Sequence, residues 1–267
     1  MSQTRRVLNG FLNNRSTVDS LKRGALIAVA IAWMPALWIF IKYGLGVSDR
    51  YFPDPLAVIE SIPRLSTALV LHSATSLARL TIGYILSCVA GLVLGIYMYK
   101  FRPLEEIFAP ALQALRAVPS TATVPFFILW FGFAEQGKIL IIVMGLSLNL
   151  AIAVLQVLHN IPEKYKIAFR GYQKDPRNLP IKILVPFALE SLLPTLRFSL
   201  TVAIGLVVVA EYLGAQSGLG YLIQSARTTY SFEVLLLAAA IFGMITWAMD
   251  RTIQTLWSKL VPWRQRQ

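Results

Sequence analysis

The chain has 267 residues, of which 56% are hydrophobic and 14% charged, with 25 Lys and Arg against 13 Asp and Glu. A soluble domain of this length carries about 25% charged residues, so a water-soluble enzyme is disfavoured. The basic residues fall between apolar runs and form no patch, which points to a membrane and away from nucleic acid.

A helix crossing about 30 Å of hydrocarbon needs roughly 20 mainly apolar residues. Residues 1–23 form a polar, basic N-terminal segment, and Gly24 to Ile41 is the first apolar run. Ala28, Ala30 and Ala32 have the small-residue spacing that signal peptidase accepts, but the polar region before them is long, and the run reads as a membrane anchor. A second span covers Leu80 to Tyr99; Ser76, Gly83, Ser87, Gly91 and Gly95 place small residues along one stripe, a face for close helix packing. The lone cysteine, Cys88, lies within this run and excludes an internal disulfide or a Cys-based metal cluster.

The third span, Ala117 to Ala134, begins Val-Pro-Ser-Thr-Ala-Thr-Val-Pro. Pro119 and Pro125 prevent a regular helix start, and Ser120, Thr121 and Thr123 put three hydroxyls in the broken segment. They suit either a substrate path or repair of the freed backbone bonds. Gly132 to Lys138 has the spacing of a phosphate-binding loop, but Ile139 stands where a hydroxyl residue would hold magnesium and no strand precedes it, so it is a chance match.

In the fourth span, Ile139 to Pro162, Gly145, Asn149, Ala153, Gln156 and Asn160 share a face that must meet protein or water, as pore lining or as interhelical hydrogen bonding. Between Glu163 and Glu190 lies the longest basic loop. Tyr165, Ala168, Phe169 and Tyr172 fall on one helical face, with Lys166, Arg170 and Gln173 on the other. Such an amphipathic helix suits anionic lipid headgroups or the groove of a partner protein.

The fifth span, Ser191 to Ala210, contains only Arg197, whose long side chain is expected to reach the headgroups. Glu211 then interrupts the apolar run; Arg227 and the glycine-rich backbone amides are its candidate partners, as a structural pair or as a gate. The stretch from Gly214 to Gly220 reads as a loop or re-entrant turn, and Val234 to Met249 as the sixth span.

With six spans the termini share a side. That side collects 18 Lys and Arg, six of them in the long loop between the fourth and fifth spans. The opposite side has six: Lys42, Arg50, Arg64, Arg79, Lys138 and Arg227. The asymmetry places both termini in the cytoplasm. His72 and His159 lie too far apart in sequence for a metal-ligand pair, and no catalytic constellation stands out, so neither a metal site nor a catalytic residue is expected.

Three stretches carry a family resemblance. Residues Ile183 to Arg197 read ILVPFALESLLPTLR, in which Ile183, Val185 and Pro186 match an Ile-x-Leu-Pro pattern with Val for Leu. AVPSTATVPFFILWFGFAEQGKI and AEYLGAQSGLGYLIQSAR flank it in the chain. Together with His72 to Tyr84, these resemble the permeases of binding-protein-dependent ABC importers, in the nitrate, sulfonate, taurine and bicarbonate branch, over residues 50–267. The family's Glu-Ala-Ala-x-x-x-Gly element departs here: Ile167, Ala168 and Phe169 stand for Glu-Ala-Ala and Gln173 for Gly, with Gly171 two residues early.

The resemblance implies an all-α integral protein of the bacterial inner membrane with the six-helix, type I ABC importer permease fold. It implies that residues 163–182 carry a coupling helix through which Tyr165, Lys166, Ala168, Phe169, Arg170, Gly171, Tyr172 and Lys174 dock on an ATPase. The implied partners are two ABC ATPase subunits holding ATP and Mg, a second permease copy, an extracytoplasmic solute-binding protein and membrane lipid; no cofactor is implied in this chain. A small solute, an anion such as nitrate, bicarbonate or an organosulfonate, would pass by alternating access near Ser120, Thr121, Thr123, Asn149, Gln156 and Glu211. The competing readings are an autonomous secondary transporter or channel, and an integral membrane enzyme.

Overall fold

A computed structural model describes residues 29, 32–48, 52–115, 117–132, 134–161 and 181–261, and every regular element among them is helical. The chain divides into two compact units, residues 1–61 and 62–267. In the first unit, helical residues 32–39 run into a π-helical turn, Phe40–Gly44. There the Trp38 indole donates to the Pro53 carbonyl at 3.0 Å. Lys42, counted in the sequence among the charges of the outer face, is only 9% exposed and donates to the Val47 carbonyl.

The first long helix, α1 (Pro55–Lys100), starts at an Asp-Pro pair. Proline at the first helical position gives up no bond, and the Asp54 carboxylate accepts from the Leu56 N–H at 2.9 Å. That bond, with one from the Tyr43 hydroxyl, holds the Asp54 carboxyl below the usual carboxylate range. At 46 residues α1 runs well past the expected Leu80 to Tyr99, because the residues before Leu80 have no helix terminator stronger than Pro63.

Helix α2 (Arg102–Leu115) is followed by a 3₁₀ turn at Ser120–Thr123 and the short helix α3 (Val124–Phe131). The expected third span, Ala117 to Ala134, thus holds the turn and α3, and α2, which precedes it, meets the segment 120–131 at 91°. Pro119 has extended backbone ahead of the turn, and Pro125 sits in the first turn of α3, as two prolines six residues apart require. Helices α4 (Glu135–His159), α5 (Ile181–Gly214), α6 (Leu219–Thr229) and α7 (Phe232–Leu260) complete the described chain.

Four helices, α1, α4, α5 and α7, are long and apolar enough to cross a membrane, and the bent pair makes a fifth candidate. Of the expected first span, Gly24 to Ile41, residues 29 and 32–41 are described and helical, while the rest lies outside the described residues, as does the whole 163–180 segment with Tyr165, Lys166, Ala168, Phe169, Arg170, Gly171, Tyr172 and Lys174.

The small-residue stripe packs α1 against α4. A Cβ added to Gly83 would lie 2.8 Å from the Ile142 side chain, one on Gly91 2.5 Å from Leu150, and one on Gly95 2.6 Å from Val154. Each glycine meets the residue 59 positions later, so the two helices run parallel and in register along the contact. Close backbone approach of this kind is what holds helices together where lipid removes the hydrophobic drive. Ser87 is fully buried in the same seam and donates to the Gly83 carbonyl at 2.6 Å.

Beyond the seam lies a buried charge cluster. Arg79, counted in the sequence as an outer-loop charge, sits inside α1 and is 3% exposed, while Glu211 near the end of α5 is 0% exposed. Arg79 Nη1 donates to Glu211 Oε1 at 2.8 Å and to the Ser217 carbonyl at 2.6 Å. Its Nε and Nη2 engage Glu135 Oε2 and Oε1 at 2.6 and 2.7 Å, and Nη2 also reaches Ser217 Oγ at 3.1 Å. All five guanidinium N–H groups are thereby used. Lys138, likewise buried and not a loop charge, donates to Glu135 at 2.9 Å.

The remaining lone pairs of Glu211 face Ser76 Oγ and the Gly220 N–H at 2.9 Å. Three successive amides at the start of α6 each find a side-chain acceptor: Gly218 on His72 Nδ1, Leu219 on Ser76 Oγ and Gly220 on Glu211. Gly218 has φ +116°, and a side chain there or at Gly220 would collide with Glu211. Of the expected glycine-rich amides, that of Gly220 is thus a partner of Glu211, but Arg227 is not: it bonds the Tyr212 hydroxyl, and Arg79 takes its place.

Arg197 also departs from expectation. It reaches Asp250 on α7 with two bonds, 2.6 and 2.9 Å, in place of extending to the headgroups.

Two predictions follow from these contacts. Gly95→Val inserts a side chain where the α4 backbone already lies and should destabilise the protein by about 1–3 kcal/mol, read as a lowered thermal midpoint in detergent. Arg79→Met leaves Glu211 buried and unpaired and should cost about 3–5 kcal/mol, whereas Arg79→Met combined with Glu211→Leu should recover part of the loss. A double variant no more stable than Arg79→Met would show that the pair is not the source of the penalty.

Candidate functional site

Sequence placed the polar residues of the third and fourth spans near one another, and the fold explains how. Pro119 stops the chain from continuing as helix after α2, and the 3₁₀ turn then presents Ser120 and Thr123 toward α4. Ser120 Oγ donates to the Gly145 carbonyl at 3.2 Å, and Thr123 Oγ1 to the Ser120 carbonyl at 2.7 Å. On α4, Asn149 Nδ2 donates to the same Gly145 carbonyl at 3.1 Å, a bond that leaves its amide oxygen unused.

Ser120, Asn149, Ala153 and Gln156 line a cavity of about 630 Å³ whose far wall is α5, through Pro194, Thr195, Phe198, Ser199 and Val202. A smaller adjoining space of about 200 Å³ is lined by Ser120, Thr123, Gly145, Asn149 and apolar neighbours. Four of the six residues expected on a path, Ser120, Thr123, Asn149 and Gln156, are therefore brought together. Thr121 is exposed and lines neither space, and Glu211 is sealed in the Arg79 cluster. Asn160, on the same expected face of α4, donates to the Gln156 carbonyl and lines neither space.

The α5 wall went unrecognised in the sequence reading. Thr195, Ser199 and Val202 recur at helical spacing after Pro194, a signal present in the sequence but obscured by the apolar residues between them. Proline inside α5 also removes the N–H that would bond the carbonyl four residues earlier, which loosens the helix beside the cavity.

Among the described residues the cavity wall holds no Asp, Glu, Lys or Arg; its polar groups are hydroxyls and carboxamides set among Val, Leu and Pro side chains. Such a lining can donate and accept hydrogen bonds to a passing solute. It provides neither a nucleophile with a base nor a charge to hold a solute in place.

Residues 83–253 match the family model described as binding-protein-dependent transport system inner membrane component. Among curated relatives, the putative aliphatic sulfonates transport permease protein SsuC of Bacillus subtilis (strain 168) is 33% identical over 245 residues, covering 91% of this chain and 87% of its own length. The taurine transport system permease protein TauC of Escherichia coli (strain K12) is 26% identical over 251 residues, covering 91% and 90%. Among solved structures, an inward-facing form of the MetNI methionine ABC transporter overlays with a TM-score of 0.57 at 23% identity, covering 72% of this chain and 97% of the other. The parallel α1 and α4 seam, the broken third segment and the uncharged cavity thus sit in a chain that belongs to the binding-protein-dependent transport system inner membrane components, the membrane-spanning permeases of ABC importers.

Proposed function

We propose that this permease passes a small anion, of the organosulfonate class, from an extracytoplasmic binding protein to the cytoplasm by alternating access. The observation that carries the reading is the uncharged cavity between the 3₁₀ turn, α4 and α5, lined by Ser120, Asn149, Gln156 and Ser199. Two relatives named for aliphatic sulfonates and for taurine support the solute class, since both names denote sulfonates. Hydroxyl and carboxamide donors solvate a sulfonate oxygen without trapping it, because a fixed cation in a low-dielectric cavity would hold an anion too tightly for release.

In this reading the chain crosses the membrane six times, with Gly24 to Ile41 as the first span and both termini in the cytoplasm. Two copies pair around the path, and each docks an ATPase subunit that holds ATP and Mg. Closure of the ATPases pushes on the Tyr165 to Tyr172 helix through Lys166, Ala168, Phe169, Arg170 and Gly171, with Lys174 at its edge. The paired permeases then open outward, and hydrolysis restores the inward-open state. No reaction is assigned to the permease chain itself.

Uptake of a radiolabelled sulfonate by cells expressing the complete importer tests the path. Gln156→Leu and Asn149→Leu should each lower uptake about tenfold, the size of one lost charge-assisted hydrogen bond, while leaving complex assembly intact. Unchanged uptake in both variants would remove the cavity from the path. Phe169→Asp with Tyr172→Asp should abolish both ATP-dependent uptake and copurification of the ATPase. Solute flux through the permease alone in proteoliposomes, driven by an ion gradient, would instead favour an autonomous transporter or channel.

A further inference from the structure

Two helix faces of the core run side by side. On α4, Lys138, Gly145, Asn149 and Gln156 follow at steps of 7, 4 and 7 residues, which keeps them on one side of the helix. On α5, Leu213, Leu206, Val202 and Thr195 step back by the same intervals. The members meet in order. Gln156 and Asn149 share the cavity with Thr195 and Val202, a Cβ added to Gly145 would lie 2.7 Å from Leu206, and Lys138 shares a further pocket with Leu213. The two helices are therefore antiparallel along these faces, and the pocket lies in line with the cavity, with Lys138 about 16 Å along α4 from Asn149. Gly145 against the fully buried Leu206 closes the line between them.

This pocket, about 560 Å³, has Glu135 and Lys138 on its α4 side and Gln216 and Ser217 on the turn after α5. Unlike the cavity, it is charged. Lys138 is 6% exposed, and of its three ammonium protons one goes to Glu135 Oε1, its one acceptor among the described residues. A buried ammonium with protons unmet is costly, and an acceptor that enters the pocket removes that cost. Glu135 is already held by Arg79 through both oxygens. The Ser217 hydroxyl accepts from Arg79 Nη2 and keeps its own proton to donate. Ala134, also on the wall, offers the first amides of α4 no side-chain cap. Ammonium, hydroxyl and helix amides are all donors, a set that suits an oxyanion.

We infer that the pocket is an outer binding site for an oxyanion of the sulfonate type, in which Lys138 holds the anion before the Gly145–Leu206 contact parts to admit it to the cavity. This rests on the proposed anionic solute and adds the place where it is first held. Pairing with Glu135 weakens the pull of Lys138, so the anion can leave again; an unpaired cation inside the closed cavity would retain it.

The complete importer, permease and ATPase together in lipid nanodiscs without the binding protein, is titrated with methanesulfonate and with dimethyl sulfone, its uncharged counterpart. Saturation-transfer NMR reads the methyl signals. Methanesulfonate should bind and dimethyl sulfone should not. Lys138→Met should weaken binding about tenfold or more, the size of one charge-assisted hydrogen bond, and Lys138→Arg should retain it. Gln216→Leu, a change to an exposed side chain that leaves the charge cluster whole, should weaken it about threefold. Asn149→Leu, in the cavity, should leave it unchanged. No methanesulfonate binding to the wild type, or binding that Lys138→Met does not move, would overturn the inference and leave the proposed solute standing. Loss of binding in Asn149→Leu alone would overturn it by assigning the anion to the cavity, and a Lys138→Met variant that weakens only docking of the binding protein would overturn it by making the pocket a protein contact. Methanesulfonate held through Lys138 in an importer that takes up no sulfonate would uphold the site and overturn the proposed solute.

Discussion

A guanidinium held by two carboxylates where four helices meet is the constraint on which the rest of this permease depends. Arg79 comes from α1, Glu135 from the start of α4, Glu211 from the end of α5, and Ser217 from the turn that opens α6. No single element could bury Arg79 or Glu211 alone, because an unpaired buried charge costs several kcal/mol per ion. Together, with Lys138 on Glu135, the four charges cancel and nearly every lone pair and proton is used. Such a cluster does not add much net stability over a well-packed apolar core of the same volume. It specifies register: shifting α1 by one turn would part Arg79 from Glu135 on α4 and from Glu211 on α5 at once, leaving only the Lys138–Glu135 pair within α4.

The glycine seam extends the same register along the membrane. Arg79 and Gly83 are one turn apart on α1, and the seam then continues through Gly91 and Gly95 against Ile142, Leu150 and Val154. Charge pairing fixes one end of the α1–α4 contact and small residues fix its length, so these helices form a firm body. The cavity opens where that body ends, between the face of α4 turned away from α1 and the proline-containing α5. Pairing the charges in the cluster also keeps them out of the cavity wall, which is left to Ser, Thr, Asn and Gln. A solute anion moving there meets dipoles that can reorient, and no site deep enough to arrest it.

Much of this was legible in sequence, and the parts that were not share a cause. The length of uncharged apolar runs found α4 and the core of α5, and helical spacing found the small-residue stripe on α1 and the polar face of α4, because each is a local pattern. The family resemblance rests on short motifs and was equally local. What failed were inferences about pairing at a distance. Arg79 looked like a loop charge because its partners lie 56 and 132 positions away, and Arg227 looked like the partner of Glu211 because it is nearer in sequence. Counting Lys and Arg by segment assigns each charge to a side of the membrane; it has no means of seeing that a charge is neutralised inside. Arg197 misled in the same way, since Asp250 falls just beyond the last apolar run and outside the tracts searched for acidic groups.

The broken third segment shows why irregular backbone belongs beside the cavity. Between α2 and α3 the chain turns by 91° through Pro119 and a single 3₁₀ turn, which leaves carbonyls and amides without helical partners. Lipid cannot satisfy such groups, so a break at membrane depth survives only against protein or water. Thr123 answers part of that demand by donating to the Ser120 carbonyl, while Ser120 and Asn149 tie the turn to α4 by both donating to the Gly145 carbonyl. Across the cavity, Pro194 deprives the Glu190 carbonyl of its usual partner within α5. Two helices interrupted on facing sides create a polar volume that neither could support alone, and filling that volume with water or solute satisfies the backbone that the prolines released.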